Sequence, residues 1–341
     1  MGKPDIGVRN LLVKLLSYGI LVFFVLLCLY FDYVTRGLFL SGSNIVNILQ
    51  QTAINTIIAV GMTFVIISGG IDLSVGSILS LAGVLSTMSL LQVFSRMHQG
   101  PAVTAWPLVV AVLVAGMVSM AVGAAAGAFN GFCITRLRVT PFIATLAMMG
   151  SARGLSMVFT DAVPISPLPT AFTNVVGGPS ILRAIPPLVP LAILVFVVGY
   201  VVLTQTDFGR RVYAIGGNQE AARLSGVNVA HTKLGVYTIA GLLAGLSGLM
   251  FAARVGAGDP KSGQMFEMDA IAAVVLGGTS LMGGTGSVAG TLLGSLVIGV
   301  LAVGLDITDV STYWQMVIKG GVILLAVVLD QLKVRLGSVG L

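Results

Sequence analysis

Apolar residues in this chain gather in repeated runs of about 17 or more, the length that carries an α-helix through the hydrocarbon core of a bilayer. Ten spans can be drawn, at 11–31, 44–68, 72–91, 106–132, 141–160, 188–204, 234–253, 269–284, 287–305 and 314–330. Two of them are broken by glycine. The second ends in Ser68-Gly69-Gly70-Ile71-Asp72 before the chain resumes as LSVGSILSLAG, and the eighth reaches a Gly-rich stretch after about 16 residues. Short, Gly-broken segments in the two halves of a chain point to a pseudo-repeat around a central pathway. One polar island interrupts the apolar pattern, QTDFGRRVYAIGGNQEAARLSGVNVAHTK at 205–233. Within it Glu220-Ala-Ala-Arg is a strong helix former on a small-residue surface, and Gly226 supplies a stop.

Composition fixes the class. With 56% hydrophobic and 9% charged residues among 341, the chain is not an ordinary soluble domain, and the fold class expected is an all-α polytopic membrane protein forming one domain over 1–341. The 44 glycines suit helices that pack by close backbone approach. Gly123, Gly127 and Gly131, and again Gly286, Gly290 and Gly294, are spaced by four and predict two smooth contact faces, with lining the pathway as the other reading. Cys28 and Cys133 read as small core residues, and no metal-ligand cluster is present in the sequence. Lys3, Arg9 and Lys14 precede an apolar run without a small-residue cleavage site, which predicts an uncleaved first span.

Charge sets the orientation. Of the 18 Lys and Arg residues, Arg36, Arg96, Arg183, Arg254 and Lys261 fall on one side and Arg153 and Lys319 inside spans, which leaves eleven on the other side. By the positive-inside bias that richer side is the cytoplasm, and it holds both termini (1–10 and 331–341) and the island. The +6 net charge reflects this anchoring and does not point to nucleic acid.

Several polar residues carry two readings each. Asp72, with Ser74 two residues on, caps the third span or stands beside a pathway or gate, the cap being favoured. Asp269 reads as a cap at the outer start of span eight, and Glu267 and Asp269 together also offer acids to a docking protein. Arg153 and Lys319 snorkel to the interface or pair with Asp161, Glu267 or Asp269. Asn47, Gln51 and Asn55 share a face of span two, where they suit sugar hydroxyls in a wet passage or bond to neighbouring helices.

Four motifs in order now single out a family. They are GMTFVIISGGIDLSVGS (61–77), VTPFIATLAMMGSARG (139–154), the island with GRRVYAIGGN ahead of Glu220-Ala221-Ala222 and Gly226, and DAIAAVVLGGTSLMGG (269–284). From about Asn44 to Asp330 the chain resembles the membrane subunit of ribose-type sugar importers in the ATP-binding-cassette superfamily. The resemblance implies a ten-helix permease of cobalamin-importer-like fold in the bacterial inner membrane. It also implies a second permease chain, identical or related, an ATPase subunit below and a periplasmic sugar-binding protein above. Arg210, Arg211, Gly217, Asn218, Glu220, Ala221, Ala222 and Gly226 would contact the ATPase, and ATP and magnesium would sit on that partner. This chain has no G-x-x-x-x-G-K-[ST] and is expected to bind no cofactor itself. One departure is visible: other importers continue the coupling motif to I-x-L-P, where this chain reads Val236-Tyr237-Thr238-Ile239.

Two other classes compete with it. An ion-coupled secondary transporter would use Asp72 as its intramembrane acid. An intramembrane serine protease would use Ser247 in Gly245-Leu246-Ser247-Gly248, but needs a base, and only His98 and His231 exist, both outside the spans.

Overall fold

The computed structural model describes residues 6–97, 105–178 and 185–338; His98 and Arg183, the first five residues and the last three lie outside them. The regular elements are helices: α1 Ile6–Val34, α2 Gly42–Ile67, α3 Val75–Met97, α4 Ala105–Thr135, α5 Pro141–Thr160, a single turn α6 Thr170–Phe172 running into a π-helical turn Thr173–Gly177, α7 Leu188–Gln205, α8 Asp207–Gly217, α9 Gln219–Leu224, α10 Val229–Val255, α11 Phe266–Leu276, α12 Val288–Ile307 and α13 Thr312–Ser338. Seven of them, α2, α3, α4, α5, α7, α10 and α12, are long and apolar enough to cross a membrane. Spans one, eight and ten correspond to α1, apolar over Gly19–Val34, to α11 and to α13.

Span eight is the main departure. At 11 residues α11 is about 16 Å long, half the hydrocarbon thickness, and it stops at Gly277 instead of continuing to 284. The chain also reaches it by an inward route. Gly258 lies against Thr87, Pro260 accepts from Ser80 Oγ at 2.8 Å, and Gly263 lies against Gly76. Thr87 to Gly76 is 11 positions of α3, so residues 256–265 descend about 16 Å along that helix before α11 begins.

The core is built on backbone contact. Helices that share a solvent as apolar as themselves gain by close approach. A Cβ on Gly127 would stand 2.1 Å from the Tyr237 carbonyl oxygen, and one on Gly123 would stand 2.2 Å from that of Gly241. Gly241 and Gly245 on α10 return the fit, and Ser119 Oγ donates to the Gly245 carbonyl at 2.6 Å. The first predicted glycine face is thus the α4–α10 seam. The second holds at Gly290 and Gly294, which seat α12 on Gly277, just past the end of α11, and on Ala273 within it, but Gly286 precedes the helix and turns at φ +149° against Thr279. Along the inner half of this assembly α2 is buried without interruption from Thr52 to Ile67.

Candidate functional site

The polar island folds as two short helices. Thr206 starts α8 by accepting the Gly209 amide at 3.3 Å, and Asn218 starts α9 by accepting the Ala221 amide at 3.0 Å. At the other end Gly226 takes φ +86°. Its amide reaches the Arg223 carbonyl and that of Val227 reaches Ala222, both at 3.0 Å, a left-handed stop that satisfies these two last-turn carbonyls. The ion pairs Asp207–Arg210 and Glu220–Arg223 are two-thirds exposed or more and contribute under about 1 kcal/mol each.

Burial divides the island into an inner and an outer face. Gly209, Val212 and Ile215 of α8 are buried against the bundle. Arg210, Arg211, Gly217, Asn218, Glu220, Ala221 and Gly226 are exposed. Ala222 is not: at 5% exposure it faces inward, and its carbonyl closes the turn at Gly226, so it supports the knob from beneath. Leu224, which the sequence did not single out, is 81% exposed and gives this face an apolar anchor.

Beneath the island the two glycine breaks meet. Gly69 turns α2 out of its helix at φ +77°, and the Gly284 amide caps the last α2 carbonyl, that of Ile67, at 2.9 Å. Tyr213 of α8 donates its hydroxyl to the Gly286 carbonyl at 2.8 Å, and its half-burial pushes the phenol above its ordinary pKa.

Past Gly70 the chain leads to α3 through an irregular segment that bends at Leu73. Asp72 is fully buried and its Oδ1 accepts the Ser74 amide at 2.8 Å and the Ser74 hydroxyl at 2.5 Å. Asn130 Nδ2 of α4 donates to the same hydroxyl at 2.9 Å. The Ser74 carbonyl then accepts the first helical bond, from Ile78 at 2.8 Å, so Asp72 orients the residue that opens α3 rather than capping first-turn amides itself.

On the opposite side of the bundle Arg254, placed in an outer loop by the sequence, ends α10 and bonds to α2. It donates to Asn47 at 2.9 Å and to Gln51, while Gln50 donates to the Gly177 carbonyl at 2.7 Å. Asn55 is 1% exposed. Asn47, Gln50 and Gln51 thus hold neighbouring elements together in this structure, whereas the buried Asn55 amide has no hydrogen-bond partner among the described residues. A cavity of about 180 Å³ between α2, α7 and α12 is walled by Leu49, Ala53, Ile193, Phe196 and other apolar groups, with the hydroxyl-bearing Thr52 and Thr56 as its polar members.

The acids of span eight sit deeper than expected because the descending segment carries them inward. Asp269 is 1% exposed and pairs with Lys319 of α13 at 2.8 Å, so it neither caps α11, whose N-cap is Met265, nor offers itself to a docking protein. Glu267 lies half-buried against Gly76 of α3, which also takes it off the outer surface. Arg153 donates through Nη1 to the Pro260 and Ser262 carbonyls, both at 2.7 Å. Neither base snorkels: Lys319 pairs with an acid, and Arg153 bonds to two carbonyls of the descending backbone. No group of three metal-ligating side chains occurs among the described residues.

Comparisons with known proteins agree with one another. The family model described as branched-chain amino acid transport system / permease component matches residues 44–327. The ribose import permease protein RbsC of Bacillus subtilis (strain 168) is 45% identical over 295 residues, covering 86% of this chain and 87% of that one. The protein of the same name from Escherichia coli (strain K12) is 45% identical over 297 residues, 86% of this chain and 88% of that one. The xylose transport system permease protein XylH of Escherichia coli (strain K12) is 37% identical over 370 residues, 91% of this chain and 90% of that one. No solved structure matches.

Proposed function

The chain belongs to the family of branched-chain amino acid transport system permease components, and from that premise we propose that it is the membrane subunit of an ATP-driven importer for a monosaccharide of the ribose and xylose kind. It is a transport subunit and a multi-pass membrane protein. In our reading all ten helical segments belong to the membrane domain, arranged as in the cobalamin-importer permeases with two pseudo-repeated halves. The island faces the cytoplasm together with both termini, in the bacterial inner membrane. A separate ATPase subunit binds ATP with magnesium, a periplasmic protein delivers the sugar, and a second permease chain completes the passage.

The observation that carries this reading is the exposed face of α8 and α9, with Glu220, Ala221, Asn218 and Leu224 outward, seated on both glycine breaks of the bundle. A chain without a phosphate-binding loop has no energy source of its own, and an exposed helix with an apolar anchor is a means of taking motion from a partner. ATP would close the ATPase subunits, and the knob would move the breaks between two arrangements of the passage.

The rival classes find no such support. Asp72 is buried in a hydrogen-bonded turn, and Ser247 is buried on α10, where the adjacent Gly248 packs on the Leu79 carbonyl. His231 is 16 positions away on the same helix, about 24 Å along its axis. The test is reconstitution in vesicles with the ATPase and the sugar-loaded binding protein. ATP-dependent uptake of ribose or xylose that requires all three is expected; uptake by the lone chain driven by an ion gradient would overturn the reading.

A further inference from the structure

Three pieces of backbone from distant parts of the chain share one small space at the foot of α8. A Cβ on Gly216 would stand 1.7 Å from the Ile67 carbonyl oxygen and 2.4 Å from the Gly284 nitrogen. One on Gly284 would stand 2.8 Å from both Cα and N of Gly217, and one on Gly283 would stand 3.0 Å from the Gly69 nitrogen. Two hydrogen bonds tie the three segments, Gly284 amide to Ile67 carbonyl at 2.9 Å and Tyr213 hydroxyl to Gly286 carbonyl at 2.8 Å. By contrast α9, which carries Glu220, packs on α8 and on α10, whereas α8 itself packs on α2, α7 and α10.

We infer that Tyr213 and Gly216 are the positioning residues through which motion of the island enters the membrane domain. They clamp α8 simultaneously to the break after α2 and to the break after α11, so that the two breaks move as one body. The physical reason lies in the contact type. Backbone packed on backbone with no side chain between has no rotamers to absorb a displacement, and a tilt of α8 is passed on undiminished. Each break also has its chain direction set at this point, by Gly69 at φ +77° and by Gly283 and Gly284 at φ +85° and +75°. A shift of Gly216 therefore redirects the start of the segment leading to α3 and of the segment leading to α12 together. The knob on α9 receives the force, and the clamp on α8 divides it.

This inference rests on the importer reading, and its test separates the two. The full complex of permease, ATPase and sugar-loaded binding protein is reconstituted with Tyr213→Phe, Gly216→Ala, Glu220→Ala or Leu224→Ala, and ATPase association, ATP hydrolysis and sugar uptake are each measured. For Tyr213→Phe the ATPase associates and hydrolyses as in the wild type, while sugar moved per ATP falls about fivefold or more, the scale of one lost coupling contact. Gly216→Ala falls further, and if it does not reach the membrane Tyr213→Phe carries the test alone. Normal uptake per ATP in Tyr213→Phe beside a failed ATPase response in Glu220→Ala would overturn the clamp and leave the importer. Normal behaviour in all four variants would overturn both. Loss of ATPase association in Tyr213→Phe would also overturn the clamp, since the residue would then serve assembly. A second measurement reads the rigid body directly. Spin labels at Arg211→Cys and Met282→Cys, both exposed, in a chain with Cys28 and Cys133 changed to Ala, should keep one separation in the nucleotide-free and vanadate-trapped complexes. A separation that changes between those states would overturn the proposal.

Discussion

Replacing Lys319 by Met should destabilise the permease by more than any exposed charge substitution in the chain. Lys319 Nζ stands 2.8 Å from Asp269 Oδ2, and the two side chains are 14% and 2% exposed, so neither has water as a substitute partner. Removing one member of such a pair leaves a buried carboxyl that must stay as a naked charge or take up a proton, and costs about 3–5 kcal/mol. At about 2 °C per kcal/mol for a chain of this size, the melting midpoint of the detergent-purified protein should fall on the order of 5–10 °C. The assay is thermal unfolding followed by size-exclusion chromatography. Replacing both members with apolar groups, Lys319→Met with Asp269→Leu, removes the desolvation penalty along with the attraction and should return the midpoint to within about 2 °C of the wild type. A single Lys319→Met variant that melts with the wild type would refute the argument, because it would mean that the ammonium reaches the interface and the pair holds nothing.

Gly127→Val places a branched side chain where a Cβ alone would lie 2.1 Å from the Tyr237 carbonyl oxygen; it should force α4 from α10 and leave the chain aggregated on extraction, read by chromatographic profile. Leu224→Ala removes an 81% exposed apolar anchor and should weaken ATPase co-purification roughly tenfold, the worth of burying one leucine, while the permease alone keeps its melting midpoint. Ser247→Ala should transport sugar at the wild-type rate, because the hydroxyl is buried beside a packing glycine; a lost activity would reopen the nucleophile reading.

The sequence is legible wherever one segment's own chemistry decides its structure. The bounds 141–160 and 188–204 recur as α5 and α7 almost to the residue, since Pro141 and Pro187 open those helices and apolar length sets the rest. Gly226 as a stop follows from its freedom at positive φ. What could not be read is where a segment lies once it is packed. Residues 256–265, with Gly256, Gly258, Pro260 and Gly263, have the composition of a surface loop, and only the Arg153, Ser80 and Gly76 contacts supplied by other helices draw them inward. The misplacement of Glu267 and Asp269 follows from that one segment. Ala222 is a similar case: six residues of α9 have no periodicity long enough to say which side faces the bundle.

Irregular backbone at membrane depth is tolerated only where protein or a water-filled cavity satisfies its polar groups. Several of these groups have named protein partners here. The Pro260 and Ser262 carbonyls are met by Arg153, with Ser80 also on Pro260, and Gly284 reaches Ile67. Most of these partners are single side-chain or loop-amide donors, not rungs of a helix. A helix moved as a unit keeps its internal bonds, so the breaks between helices can change direction at the cost of one or two such bonds each. The energetically cheap place to deform this bundle is therefore its irregular segments, 68–74, 256–265 and 277–287, and two of the three are held directly against α8. An element that gripped α7 or α10 in mid-helix would have to tilt a whole packed seam such as α4–α10, where glycine backbones leave no slack. Placing the island on the breaks instead directs a partner's work into the parts of the fold that resist it least.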